Sequence, residues 1–235
     1  MCKANQTVED VIHIPAEQTG PVLEPVFCFP AAVYTVKLPQ FLDAAKTVVT
    51  EAISVKKKEI KKLNEIYPLV MTDNLHTDLR FAGLTAFIGQ TAWNILDGQG
   101  YAMQNMSTYF TEFWCQEHHK HSAMEQHIHG FGSQIVGFYF IDVPKDSSVV
   151  LFHDPKAGKV QLNLPELNMS QVTFASNIIN FVPEPGLCMF APAWLAHSFT
   201  RHAANNPMRF IHFNISVQFN AAPTACPVHS DVEVV

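Results

Sequence analysis

Three histidines stand where their spacing could hold a metal ion. His127 and His129 occupy alternate positions in the run Glu-Gln-His-Ile-His-Gly-Phe-Gly, and His197 follows Trp-Leu-Ala much later in the chain. Alternate residues of a β-strand point to one face, so the first two imidazoles would lie about 6–7 Å apart along the backbone, close enough to share one ion. A third ligand from a distant strand would complete a facial set and leave coordination positions open for chemistry. Ile128 between the pair fits a strand that buries one face and turns the other toward a cavity. His118, His119 and His121 sit in the polar stretch Gln-Glu-His-His-Lys-His, where Lys120 would oppose a bound cation, so they carry less of the case.

Arg209 is the second chemical signal. It begins the apolar run Arg-Phe-Ile-His-Phe-Asn-Ile, where a guanidinium is costly unless an anion neutralises it. No acid adjoins it in sequence, which favours a bound carboxylate or phosphate. An ion pair with a distant acid such as Glu184, or a side chain that reaches out to water, is the plainer alternative.

These residues need a scaffold, and the pattern around them predicts a mainly β one. After residue 108, short runs of Phe, Tyr, Val and Ile alternate with turn residues, predicting strands near 108–116, 125–130, 134–143, 148–153, 171–181, 187–191, 196–202 and 208–219. Eight such strands suit a jelly roll or double-stranded β-helix. Ahead of them, apolar residues recurring at threes and fours predict helices over about 38–65 and 79–97, packed on one sheet from outside. A shorter strand candidate precedes them at Val26–Phe29 and Val33–Val36, interrupted by Pro30. The expected organisation is a polar arm over 1–24, a single domain over 25–220 and a tail over 221–235.

Composition narrows the function. The chain has 235 residues, 48% of them hydrophobic, enough for one domain with a substantial core. Fifteen Lys and Arg are outnumbered by twenty-one acids, which disfavours a nucleic-acid surface. The lysine cluster at 56–58, 61 and 62 alternates with Glu51, Glu59 and Glu65 and reads as a solvated helix face. Five scattered cysteines with no close pair favour reduced thiols and a cytoplasmic location. The N-terminus has no signal-peptide pattern, and no run of about eighteen uncharged apolar residues suggests a membrane span. The arm and tail could cross to a neighbouring subunit in a homo-oligomer. No motif distinguishes a small-molecule from a macromolecular substrate.

The ordered set Trp114, His127-Ile128-His129, Gly137 to Ile141, Phe152-His153-Asp154-Pro155, Pro185-Gly186, Phe190-Ala191-Pro192-Ala193-Trp194-Leu195-Ala196-His197, Arg209 and Phe213-Asn214-Ile215 resembles the 2-oxoglutarate- and iron(II)-dependent oxygenases of the small bacterial and phage type. The resemblance covers about residues 108–220. It implies an oxidoreductase that binds iron(II), or another divalent metal, with 2-oxoglutarate as co-substrate. His127, His129 and His197 would be the ligands, and Arg209 would meet the distal carboxylate of the oxo acid, with a further hydrogen bond from Tyr139. Asn214 would orient a ligand or substrate.

Two positions depart from that family's pattern. His129 stands where a carboxylate is usual, so the set would be three neutral ligands unless Glu125 or Asp154 displaces one of them. Ile211 stands where many relatives carry a serine. A cupin-type metal-dependent dioxygenase or isomerase, needing no oxo acid, is the alternative enzyme, and Gln134 suits it. A barrel that has kept its shape and lost its chemistry is the non-catalytic alternative.

Overall fold

Turn residues cut the apolar second half of the chain into short strands, which pair in two facing antiparallel sheets. A computed structural model describes residues 26–130, 132–156, 158–159 and 164–220. In chain order the elements are β1 (Tyr34–Lys37), α1 (Leu42–Glu59), β2 (Leu69–Met71), α2 (Ala82–Gly98), β3 (Met106–His118), β4 (Met124–His127), β5 (Ile135–Asp142), β6 (Val150–His153), β7 (Ile178–Phe181), β8 (Leu187–Pro192), β9 (His197–Phe199) and β10 (Met208–Phe219). The larger sheet runs β1-β8-β5-β10-β3-β2 and the smaller β4-β9-β6-β7. With β1 and β2 set aside as edge additions, four strands face four, which is the double-stranded β-helix expected from the sequence.

Strand alternation divides the interior into two cores. On β10, Ile211, Phe213 and Ile215 face the helices, where they meet Ala45, Val49 and Ile53 of α1 and Leu84, Ile88 and Ala92 of α2. Met208 and Phe210, with the opposite parity, face between the sheets among Phe138, Phe140, Val150, Phe152 and Phe199. Each such side chain contributes about 1.5–3 kcal/mol on burial. Gly137 lies mid-way along β5, opposite Phe213 on one side and Phe190 on the other. A Cβ there would stand 2.1 Å from the Phe213 ring and 2.4 Å from the Met189 carbonyl oxygen, so only glycine fits.

Some boundaries differ from the sequence expectation. The first helix stops at Glu59 rather than near 65, because Ile60 turns extended (ψ 110°). The Asn64 side chain then accepts from the backbone N–H groups of Ile66 (2.8 Å) and Tyr67 (3.0 Å), a local bond that competes with the helix ladder. Residues 26–33 form no strand, in keeping with Pro30, which has no N–H for a ladder. The strand expected over 171–181 is confined to Ile178–Phe181. The arm at 1–24 and the tail at 221–235 fall outside the described residues. Among the described residues, no helix is long and apolar enough to cross a membrane.

Candidate metal centre

The smaller sheet brings the three histidines together. His127 ends β4 and is the register partner of His197, which opens β9. His129 follows β4 and is held by its own backbone N–H, which donates to the Ala193 carbonyl at 2.9 Å. The imidazole centroids lie 4.5 Å apart for His127 and His197, 5.1 Å for His127 and His129, and 5.2 Å for His129 and His197, the last two rings parallel to within 2°. One ligand atom from each lies within 4.8 Å of the others.

The hydrogen bonds leave Nε2 of two of the imidazoles for an ion. His127 Nδ1–H donates to the Glu125 carbonyl at 2.7 Å, and His197 Nδ1–H donates to the Leu195 carbonyl at 3.0 Å. Each therefore keeps a lone pair on Nε2. The Nε2 atoms of His129 and His197 are buried and have no hydrogen-bond partner. Burial, helped by the neighbouring imidazoles, pushes His129 down to about 3 and His197 down to about 4 from an ordinary 6.5, so both are neutral at pH 7.

These depressed values have a consequence for stability. Each group binds its proton more weakly in the folded chain than in the unfolded one. Its favourable contribution is full above about 6.5 and drains as pH falls toward 4 and then 3. The ion-free protein should therefore show a urea midpoint that drops between pH 7 and pH 4. A midpoint that holds or rises over that window would show that the rings titrate freely.

A carboxylate does adjoin the centre, but neither of the two acids named from the sequence supplies it. Glu125 accepts from Tyr67 Oη at 2.9 Å, and Asp154 pairs with Lys159 at 2.9 Å. The nearby acid is Glu112 on β3, which faces His212 and Asn214 of β10. His212 Nε2 lies 3.4 Å from Glu112 Oε2, and Asn214 Nδ2 donates to the same oxygen. Glu112, His129 and His212 form a second group whose ligand atoms lie within 4.8 Å, sharing His129 with the first. Neither Glu112 nor His212 is among the residues expected at the site from the sequence. The signal was present, because His212 and Asn214 share a face of an otherwise apolar strand. Their partner on β3, however, lies 100 residues away for His212.

Asn214 also lies 2.9 Å from His129 Nδ1. The amide bridges Glu112 and His129 and governs the tautomer of that ring: donating to Nδ1 it leaves the proton on Nε2, and only turned over, giving up its bond to Glu112, does it accept from Nδ1–H and free Nε2 for an ion. Replacing Asn214 with alanine should weaken zinc binding by about 10–100-fold in competition with a chromophoric chelator. Unchanged affinity would mean that the amide does not set the ring.

Arg209 and Tyr139 lie elsewhere. Arg209 shares the helix-facing side of β10 with Ile211, and its Nε donates to Glu117 Oε2 at 2.7 Å, with Asp142 at 3.5 Å and Thr50 of α1 at 3.4 Å. The face is opposite to that of His212 and Asn214, so the guanidinium is part of a strand-to-strand ion pair beneath α1 and does not reach the imidazoles. The acid is Glu117 rather than Glu184, which pairs with Lys37. Tyr139 is buried on the helix side, and its hydroxyl donates to the Leu38 carbonyl at 2.8 Å. The residues present thus fit an ion, whereas neither Arg209 nor Tyr139 is placed to hold the distal end of an oxo acid.

Fold and site together define a class, a double-stranded β-helix with imidazoles gathered on its smaller sheet. The sequence model of the family described as "Putative 2OG-Fe(II) oxygenase" matches residues 112–214, which span the three imidazoles, and that description names the iron and the oxo acid implied by the resemblance. Over that stretch the chain is similar to that family of oxygenases.

Similar solved structures include an oxidoreductase of the 2OG-Fe(II) oxygenase family from Burkholderia pseudomallei, 10% identical over 78% of this chain and 84% of that one, with a TM-score of 0.51. A prolyl-4-hydroxylase from Pseudomonas putida is 9% identical over 79% and 92%, with a TM-score of 0.52. AviO1 from Streptomyces viridochromogenes Tue57 is 13% identical over 83% and 93%, with a TM-score of 0.56. At these identities the likeness is one of fold. No curated protein matches the chain.

Proposed function

We propose that the chain is an iron(II)- and 2-oxoglutarate-dependent oxygenase whose ion is held by His127, His129 and His197. The observation that carries this reading is the pair of buried, unpartnered Nε2 atoms on His129 and His197, set around the third imidazole. A buried polar atom without a partner costs roughly 1–3 kcal/mol, and an ion between the rings removes that cost. When bound, iron(II) and the oxo acid supply the activation of oxygen that oxidises a substrate.

The chain's own residues orient and shield. The Glu125 and Leu195 carbonyls fix two rings with Nε2 available for the ion, and Asn214 fixes the third. Phe138 and Phe152 flank His197 at ring distances of 5.5 and 5.9 Å and keep water from its buried side. The distal carboxylate of the oxo acid requires a partner other than Arg209.

The test is iron binding followed by turnover. The wild-type chain should bind iron(II) anaerobically and form succinate from 2-oxoglutarate under oxygen. His197→Ala should weaken the ion by on the order of 100-fold or more, above the effect of removing an outer partner. Iron affinity unchanged in His197→Ala would overturn the ligand set. The commitment of Arg209 to Glu117 favours a second reading, a metal-dependent dioxygenase that needs no oxo acid. Oxygen uptake on an added substrate without succinate would identify that one.

A further inference from the structure

We propose that Glu112, His129 and His212 form a second seat for a divalent cation, an alternative to the three-imidazole seat with which it shares His129. One ligand atom from each of the three lies within 4.8 Å of the others. Glu112 and Asn214 are register partners on β3 and β10, and His212 precedes Asn214 by two residues on the same face.

Three observations point to an ion at this place. His212 Nε2 and Glu112 Oε2 stand 3.4 Å apart, long for a hydrogen bond but suited to two ligands on one ion. Donors at tetrahedral angles and about 2.0–2.2 Å from a shared ion lie roughly 3.3–3.6 Å from each other. Asn214 Nδ2 donates both to Glu112 Oε2 and to His129 Nδ1, so a carboxylate oxygen and an imidazole lone pair converge on one positively polarised atom. A cation would meet the same two acceptors. Finally, Asn214 Oδ1, on a residue only 3% exposed, is buried without a partner. Turning the amide would bring that oxygen toward Glu112 and His129, where acceptors alone repel and an ion would join them.

Two imidazoles, a carboxylate and an amide oxygen suit iron(II), cobalt(II), zinc or manganese(II). His212 takes part with its proton on Nδ1, and Glu112 supplies the negative charge that three neutral imidazoles lack.

The two seats exclude each other through one ring, because a neutral imidazole has a single lone pair. With the His129 proton on Nδ1, the Nε2 lone pair serves the seat of His127 and His197. With the proton on Nε2, the Nδ1 lone pair serves Glu112 and His212. The second seat is the weaker, since an ion there displaces the Asn214 amide from two hydrogen bonds at once. Exchange between the seats rests on the ligand set proposed above, whereas the second seat itself does not.

Cobalt(II) binding to the full chain tests this, measured by calorimetry and by competition with a chromophoric chelator. The wild type should take one ion per chain. His197→Ala should still take one ion, more weakly and with a changed visible spectrum. Glu112→Gln, which keeps an oxygen to accept from Asn214, should weaken binding in the His197→Ala background at least about tenfold more than in the wild type. Because loss of the buried His197 ring could unsettle β9, His127→Ala at the half-buried end of β4 provides a second background for the same comparison. His129→Ala takes a ligand from both seats and should bind more weakly than either. If His197→Ala weakens the ion but Glu112→Gln then costs no more than in the wild type, the second seat is overturned. Two ions per wild-type chain, or His129→Ala binding as tightly as His197→Ala, would overturn it as well. If instead Glu112→Gln weakens the wild type and His197→Ala does not, the second seat stands and the three-imidazole set falls, so the two failures are distinct.

Discussion

Gly137→Ala is expected to leave the chain unable to complete its larger sheet. The added methyl would lie 2.1 Å from Phe213 Cζ and 2.4 Å from the carbonyl oxygen of Met189. The first neighbour is a fully buried ring, and the second is backbone of the adjoining strand, so neither can retreat without opening a paired strand. Overpacking typically costs 1–3 kcal/mol, and a backbone clash places this change above about 3 kcal/mol, a large part of a domain's stability. Expression as insoluble protein, or a urea midpoint far below wild type, is the expected result. A soluble variant with the wild-type midpoint would mean that β5 and β8 are further apart than described.

Arg209→Ala is expected to cost stability and leave ion affinity intact. Glu117 has no exposed side-chain surface and is held by Arg209, Lys57 and His119. Removing one partner from a buried pair typically costs 3–5 kcal/mol, and the remaining Lys57 places this change near about 3 kcal/mol. Burial pushes the Glu117 carboxyl up, but Lys57 and Arg209 together hold it below its ordinary range. Thermal unfolding should therefore move down, while iron(II) and 2-oxoglutarate affinities measured below the transition stay within about twofold of wild type, less than 0.6 kcal/mol. A collapse in 2-oxoglutarate affinity with unchanged stability would return Arg209 to the role of anchor.

Arg209 and His212 show where sequence reasoning reaches its limit. The cost of a guanidinium in an apolar strand correctly called for a negative partner, but the partner's identity depends on which face of β10 the residue takes. That face follows from strand parity and from the position of α1, which contributes Thr50. His212 lies in the same run with the opposite parity, and its meaning emerges only when β3 brings Glu112 alongside. Glu125 and Asp154 are acids near the histidine motifs in sequence, yet each is spent on a neighbour, Tyr67 and Lys159.

The sequence by itself determined the class of the fold and the three candidate ligands, because strand alternation and turn residues are local and the pair at 127 and 129 shares a face by periodicity alone. Only the tertiary structure decided which charges face the imidazoles. Electrostatic partners are chosen by through-space distance across paired strands, and residues roughly a hundred positions apart, such as Glu112 and His212 or Glu117 and Arg209, meet only once the larger sheet has set its register.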